Sequence, residues 1–142
     1  MAVNLSVELR NAMLNAINTT LGANCVLKIY ANAVPANTVV TDSNAILASM
    51  NINDAANSNV CLGAAANGAI SKTGTWQDTA ADANGTAGHW RIYTSGNAAS
   101  NANASVQGNC AAANGDMNLD NTSIAVNQTV TVTAFQLTAP NA

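Results

Sequence analysis

A mainly β chain, an antiparallel β-sandwich or jelly-roll with one N-terminal amphipathic helix, is what this sequence predicts, on three observations. Apolar residues recur at helical spacing only near the start, over about residues 6–21. From Cys25 onward the period changes to alternation, in short runs bounded by Asn, Gly and Asp. Neither a glycine-rich phosphate loop nor a strand–helix alternation supports a doubly wound fold. At 142 residues the chain has the length of one domain, read as 1–142 with the sandwich over about 25–138.

In the helix, Leu5, Leu9, Met13, Ile17 and Leu21 recur at four-residue steps, flanked by Ala12 and Ala16, and are expected to form the buried face. Ser6 or Asn4 can cap its start, Glu8 sits favourably in the first turn, and Gly22 can end it. The polar face carries Asn and a single Arg, not the basic row of a membrane-surface helix.

The first strand is expected over 25–30, with Cys25, Leu27 and Ile29 on one face and Val26, Lys28 and Tyr30 on the other. A second covers 45–52 and a third 60–66, which the hairpin turn Asn67-Gly68 joins to 69–73. Residues 74–78 are extended and carry Trp76. The stretch 82–94 sets an Asn84-Gly85 turn and Gly88 before the densest aromatic segment, which is the expected central strand. Alternation there points Trp90 and Ile92 at a core and His89, Arg91 and Tyr93 at the outer face.

Residues 97–103 read as an exposed, mobile loop, followed by short strands at 105–108 and 117–119 and turns at Asn114-Gly115 and 120–122. Ile124 and Val126 are expected to pack as the chain re-enters. In the last strand, 129–138, Val130, Val132 and Ala134 share one face, while Thr129, Thr131, Thr133, Phe135 and Leu137 share the other.

Composition bears on function. Only 8% of residues are charged, against roughly a quarter in ordinary domains, so the surface is neutral and amide-rich and suits packing against neighbours. Arg10, Lys28, Lys72 and Arg91 form no basic run, which argues against nucleic-acid binding. The first ten residues show no apolar run long enough for a signal peptide or membrane span, so synthesis and folding in a cytoplasm are expected. Cys25, Cys61 and Cys110 match neither a zinc site nor a disulfide framework and are expected to be buried free thiols.

His89 is the only histidine, and no motif recruits it as a base or metal ligand. Asp82 with Asn84, and Asp116 with Asp120 and Asn121, offer oxygen atoms to calcium, but turn chemistry explains them better. Glu8 is the only glutamate and lies in the helix, so paired-carboxylate catalysis is unsupported. The sequence designates no catalytic, cofactor or metal residues, and a non-enzymatic role is expected.

The order of pieces resembles a family of small virion structural proteins of tailed bacteriophages and prophages. The resemblance rests on Leu9-Arg10-Asn11-Ala12, Leu27-Lys28-Ile29-Tyr30, Ile46-Leu47-Ala48, Ala65-Ala66-Asn67-Gly68 and the run from Gly85 to Tyr93. It continues through Gly115 to Leu119, Asn121-Thr122-Ser123-Ile124 and the final strand, and departs around 53–61 and 97–110, where this chain is longer and richer in Asn. It implies a virion protein made in the host cytoplasm, a capsid decoration or cement protein that forms a homo-oligomer, such as a trimer, on the major capsid protein. The alternative it leaves is a tail, neck or head-fibre protein, with exposed Tyr93 and the 97–103 loop contacting the host surface. An exported adhesin is the third reading and lacks an export signal.

Overall fold

The computed structural model describes residues 4–22, 24–51 and 62–140. Helix α1 (Val7–Leu21) is followed by β1 (Val26–Ala31), β2 (Ile46–Asn51), β3 (Ala69–Ser71), β4 (Gln77–Asp78) and the long β5 (Gly85–Tyr93). Then come a 3-10 turn (Ala98–Ser100), β6 (Val106–Ala111), β7 (Met117–Leu119), β8 (Ser123–Ile124) and β9 (Val130–Thr138). The mainly β class with one N-terminal helix is therefore as expected. The strands form one curled sheet in the order β2-β1-β5-β6-β7-β9-β3, with β4 paired to β9 and β8 to β5. Its pairs are antiparallel except β6 with β7, which run parallel, so the sheet is mixed.

Both ends of this sheet are covered. At the β2 end, the Ser49 amide donates to Asp78 Oδ2 at 2.9 Å and the Asp82 amide to the Leu47 carbonyl at 2.8 Å. The β3 end is met by Gly63, whose amide donates to Ser71 O, and by the bridge between Leu62 and Lys72. Unpaired edges that invite strand addition are thereby closed off. The expected strand 60–66 falls partly outside the described residues, and its remainder makes only isolated bridges. Asn67 and Gly68 form the expected two-residue hairpin, with φ of 53° and 76° and reciprocal Ala66–Ala69 hydrogen bonds.

The main core lies inside the curl. Phe135 packs between two tryptophans, 5.6 Å from Trp76 and 5.0 Å from Trp90, the latter edge-on. Simple alternation puts Phe135 opposite Val130 and Val132, yet all three are buried in one core. Between them, Asn118 pairs with Ala134 and Leu119 with Val132, leaving Thr133 as an extra residue that reverses the facing of the rest of the strand. Gly88 plays the same part in β5, because Tyr30 pairs with His89 and Ala31 with Ala87.

Four local expectations are corrected. No left-handed turn forms at Asn84-Gly85; Gly85 already belongs to β5 and pairs with Ile124. Val126 is 48% exposed, because its amide is held by Asn84 Oδ1 at a bend, and only Ile124 packs inward. The 97–103 stretch is exposed at Ala99, Ser100 and Asn103 as expected, but it is no free loop: Ala98 and Asn101 bond to Lys28 and Arg91 of the sheet. Cys25 is in a disulfide and is not a free thiol; pairing depends on proximity in space, which spacing in sequence does not reveal. Among the described residues Cys110 is a free thiol, which burial pushes up to about 11, and Cys61 lies outside them.

A Cβ at Gly88 would collide with the backbone carbonyl of Asn32, whereas at Gly96 it meets nothing within 4 Å. Gly88→Ala is expected to destabilise the protein by about 2 kcal/mol or more, and Gly96→Ala by less than about 0.5 kcal/mol, in urea denaturation.

Candidate functional site

Two features stand apart from an ordinary β core. The first is a buried polar centre on the outer face of β5. Alternation alone puts His89, Arg91 and Tyr93 at the surface, but each is 0% exposed. Strand β5 sits between β1 and β6 in mid-sheet, and the 32–44 and 97–104 segments fold over its outer side. Asp42 comes from the first of these and is also buried.

Arg91 has all five N–H donors engaged. Its Nε and Nη2 donate to Gln107 Oε1 at 3.0 and 2.8 Å, Nη2 also to Asn37 O at 2.8 Å, and Nη1 to Val40 O and Asn101 O at 2.8 and 3.0 Å. Gln107 is itself fixed by donating to Pro35 O at 2.8 Å. One side chain thus ties both covering segments to the sheet. His89 lies 2.6 Å from Asp42 Oδ2 through Nε2 and 3.0 Å from Asn32 O through Nδ1, with Tyr30 stacked on its ring at 5.0 Å.

Asn101, in the left-handed region at φ 53°, supplies the other acceptors. Its Oδ1 receives Lys28 Nζ at 2.6 Å and Tyr30 Oη at 3.2 Å, and its carbonyl receives the Asp42 amide at 2.9 Å. Tyr30 and Tyr93 join hydroxyls at 2.8 Å. Asp42 titrates below its usual range: burial alone pushes it up, but hydrogen bonds from His89 and Asn44 outweigh that. In this arrangement His89 reaches no solvent-borne substrate, so the centre holds loops in place. Among the described residues, no cluster of three or more His, Cys, Asp or Glu is placed to hold a metal ion. Asp116 and Asp120, whose oxygens could in principle suit calcium, instead accept hydrogen bonds from backbone amides of Asn109, Asn121 and Thr131.

The second feature is helix α1, in which Leu21 and half-buried Ile17 of the expected face reach the core but the docked side is otherwise the one its spacing marks as polar. Leu14 and Leu21 are buried, while Val7, Leu9 and Met13 are 46%, 50% and 43% exposed. Four-residue steps advance about 400° around a helix, so a run from Leu5 to Leu21 drifts by about 160° and cannot form one face, whereas seven-residue steps nearly can. The docked side is a ladder of amides. Asn18 exchanges two hydrogen bonds with the Leu62 backbone at 3.1 and 3.2 Å, Asn15 accepts from the Ala65 amide and Asn11 from the Gly68 amide. Arg10 donates to Ala139 O at 3.1 Å.

The outward side of α1 leaves Leu9 and Met13 exposed as a neighbouring apolar pair, while Val7, more than about 100° away around the helix, is exposed at its first turn. Beside it runs a groove of about 520 Å³ walled by Met13, Ile17, Val106 and Leu137 and by the Ala139-Pro140 end of the chain. Among the described residues, no charged side chain lines it. No helix among the described residues is long and apolar enough to cross a membrane. Comparison of the chain with protein-family models, with curated proteins and with solved structures returns no match.

The buried centre gives two expected outcomes. Arg91→Met removes the donor to Gln107 Oε1 and to the Asn37 and Val40 carbonyls at once, the Asn101 carbonyl keeping the Asp42 amide, and is expected to cost about 3 kcal/mol or more in urea denaturation. Because Asp42 titrates lower in the folded protein, its contribution is present above the usual aspartate range of about 3.9 and is lost as pH falls through the lower folded value. Amide exchange in 32–44, corrected for intrinsic rates, is expected to lose protection on acidification, and Asp42→Asn to remove that transition.

Proposed function

We propose that this chain is a non-enzymatic structural subunit of a tailed-phage particle, most directly a capsid decoration or cement protein that associates with copies of itself and with the major capsid protein. The observation that carries the assembly reading is the outward apolar pair Leu9 and Met13 on a helix already anchored by its other side. Leu9 and Met13 stand one turn apart, and Met13 also walls the groove, whose lining among the described residues is uncharged. Contiguous exposed apolar surface of this kind is typical of a surface that meets a protein partner.

The virion part of the reading rests on the sequence resemblance, which spans most of the chain. The Cys25 disulfide is compatible with it, since disulfides persist on particle surfaces outside the reducing cytosol. A subunit that binds only the assembled shell stabilises it by mass action, without chemistry. The tail or fibre alternative relies on Tyr93 as an exposed aromatic platform, and Tyr93 is buried, so that alternative loses its named recognition residue.

Light scattering across a concentration series is the first check: the wild type is expected to associate, and the double substitution Leu9→Asp with Met13→Asp to yield monomer with unchanged thermal stability. A wild type that stays monomeric at high concentration counts against self-association. Cryo-electron microscopy of the particle then decides position, density over the capsid lattice favouring decoration and density at the tail or neck overturning it.

A further inference from the structure

His89 has a hydrogen-bond acceptor on each side of its ring, the Asn32 carbonyl at 3.0 Å from Nδ1 and Asp42 Oδ2 at 2.6 Å from Nε2. A neutral imidazole carries one N–H and one lone pair, so either tautomer turns a lone pair toward an oxygen at bonding distance. Only the imidazolium donates to both. The alternative, a protonated Asp42 donating back to the ring, is opposed by Arg91 Nε at 3.7 Å from the same oxygen. It is opposed again at Asp42 Oδ1, which takes the Asn44 amide at 3.0 Å and Asn44 Nδ2 at 2.9 Å.

We propose that His89 is an imidazolium in the folded protein, and that its two charge-assisted hydrogen bonds form a proton-dependent clasp holding the 32–44 loop, with exposed Val39 and Val40, against the sheet. The groups around the ring are few. Tyr30 of β1 stacks on it, Arg91 of β5 flanks Asp42, and Tyr93 of β5 and Lys28 of β1 stand one contact away, on the Tyr30 hydroxyl and on Asn101. Asn32 and Asp42 lie near the two ends of the loop, so the ring bridges its entrance to its exit. Loss of the ring proton sets lone pair against lone pair at one of these contacts, and the loop loosens as pH rises through that titration. At the acid end, protonation of Asp42 loosens it again, which gives the clasp a pH window closed on both sides.

Histidine-detected 1H–15N NMR on the wild-type protein tests this directly. At neutral pH both ring nitrogens are expected to be protonated. On raising the pH, amides of 32–44 are expected to shift with the ring and their opening equilibrium to rise about tenfold or more, the scale of one charged hydrogen bond, while β9 amides stay protected. A neutral tautomer in the folded protein at neutral pH overturns the proposal, as does a loop indifferent to ring titration. His89→Gln, which presents an untitratable amide, is expected to abolish the alkaline loop transition; its persistence in the folded variant overturns the clasp. Should that variant not fold, the wild-type titration decides alone.

Discussion

A guanidinium withdrawn from water needs acceptors for five N–H donors, and the strands beside Arg91 supply only the side-chain oxygen of Gln107 on β6. The backbone groups of β1 and β6 are used in pairing, so the other acceptors come from the covering segments, as the carbonyls of Asn37, Val40 and Asn101. Two loops from distant parts of the chain are therefore shaped around one side chain. Their backbone groups, in turn, find partners in each other, as where the Ala104 amide donates to Thr38 O at 2.9 Å. The cover is a layer built from hydrogen bonds around a small apolar nucleus of Tyr30, Tyr93 and Ala104, with Ile46 and Ala98 packed against it.

Asparagine does similar work on the opposite flank. Along α1, Asn11, Asn15 and Asn18 accept from or exchange with the backbone of the 62–68 segment, taking the place of a neighbouring strand. An amide offers both a donor and an acceptor without charge, so it can satisfy backbone groups at lower desolvation cost than an ionised side chain. A chain with 8% charged residues can in this way secure its loops and helix while leaving a neutral exterior. The docked helix then has apolar residues left over, and these face outward.

Much of the architecture is legible from the residues alone. The helix with its Ser6 cap and Gly22 end, the Asn67-Gly68 hairpin, the strands near 25–30, 45–52 and 117–119, and the inward Trp76, Trp90 and Ile92 are local matters of periodicity and turn chemistry. The candidate site is far less legible. Alternation says that His89 and Arg91 lie opposite Trp90, but whether that opposite face meets water depends on segments distant in sequence. On α1, four-residue spacing suggests a single buried face, yet its steady drift around the helix carries Leu9 and Met13 away from Leu14 and Leu21.

The sequence by itself determined the class, a β chain behind one helix, and the charge-poor composition that leaves a neutral surface, because these arise from local propensity and totals. Tertiary structure alone decided the facing of β9, where a bulge at Thr133 turns Phe135 inward between two tryptophans. It alone decided that Asp42, His89 and Arg91 form one buried centre, and which side of α1 remains bare. The physical reason is common to all three: each depends on which distant segment arrives as a neighbour, and a bulge, a covering loop or a docking ladder carries no local period to announce it.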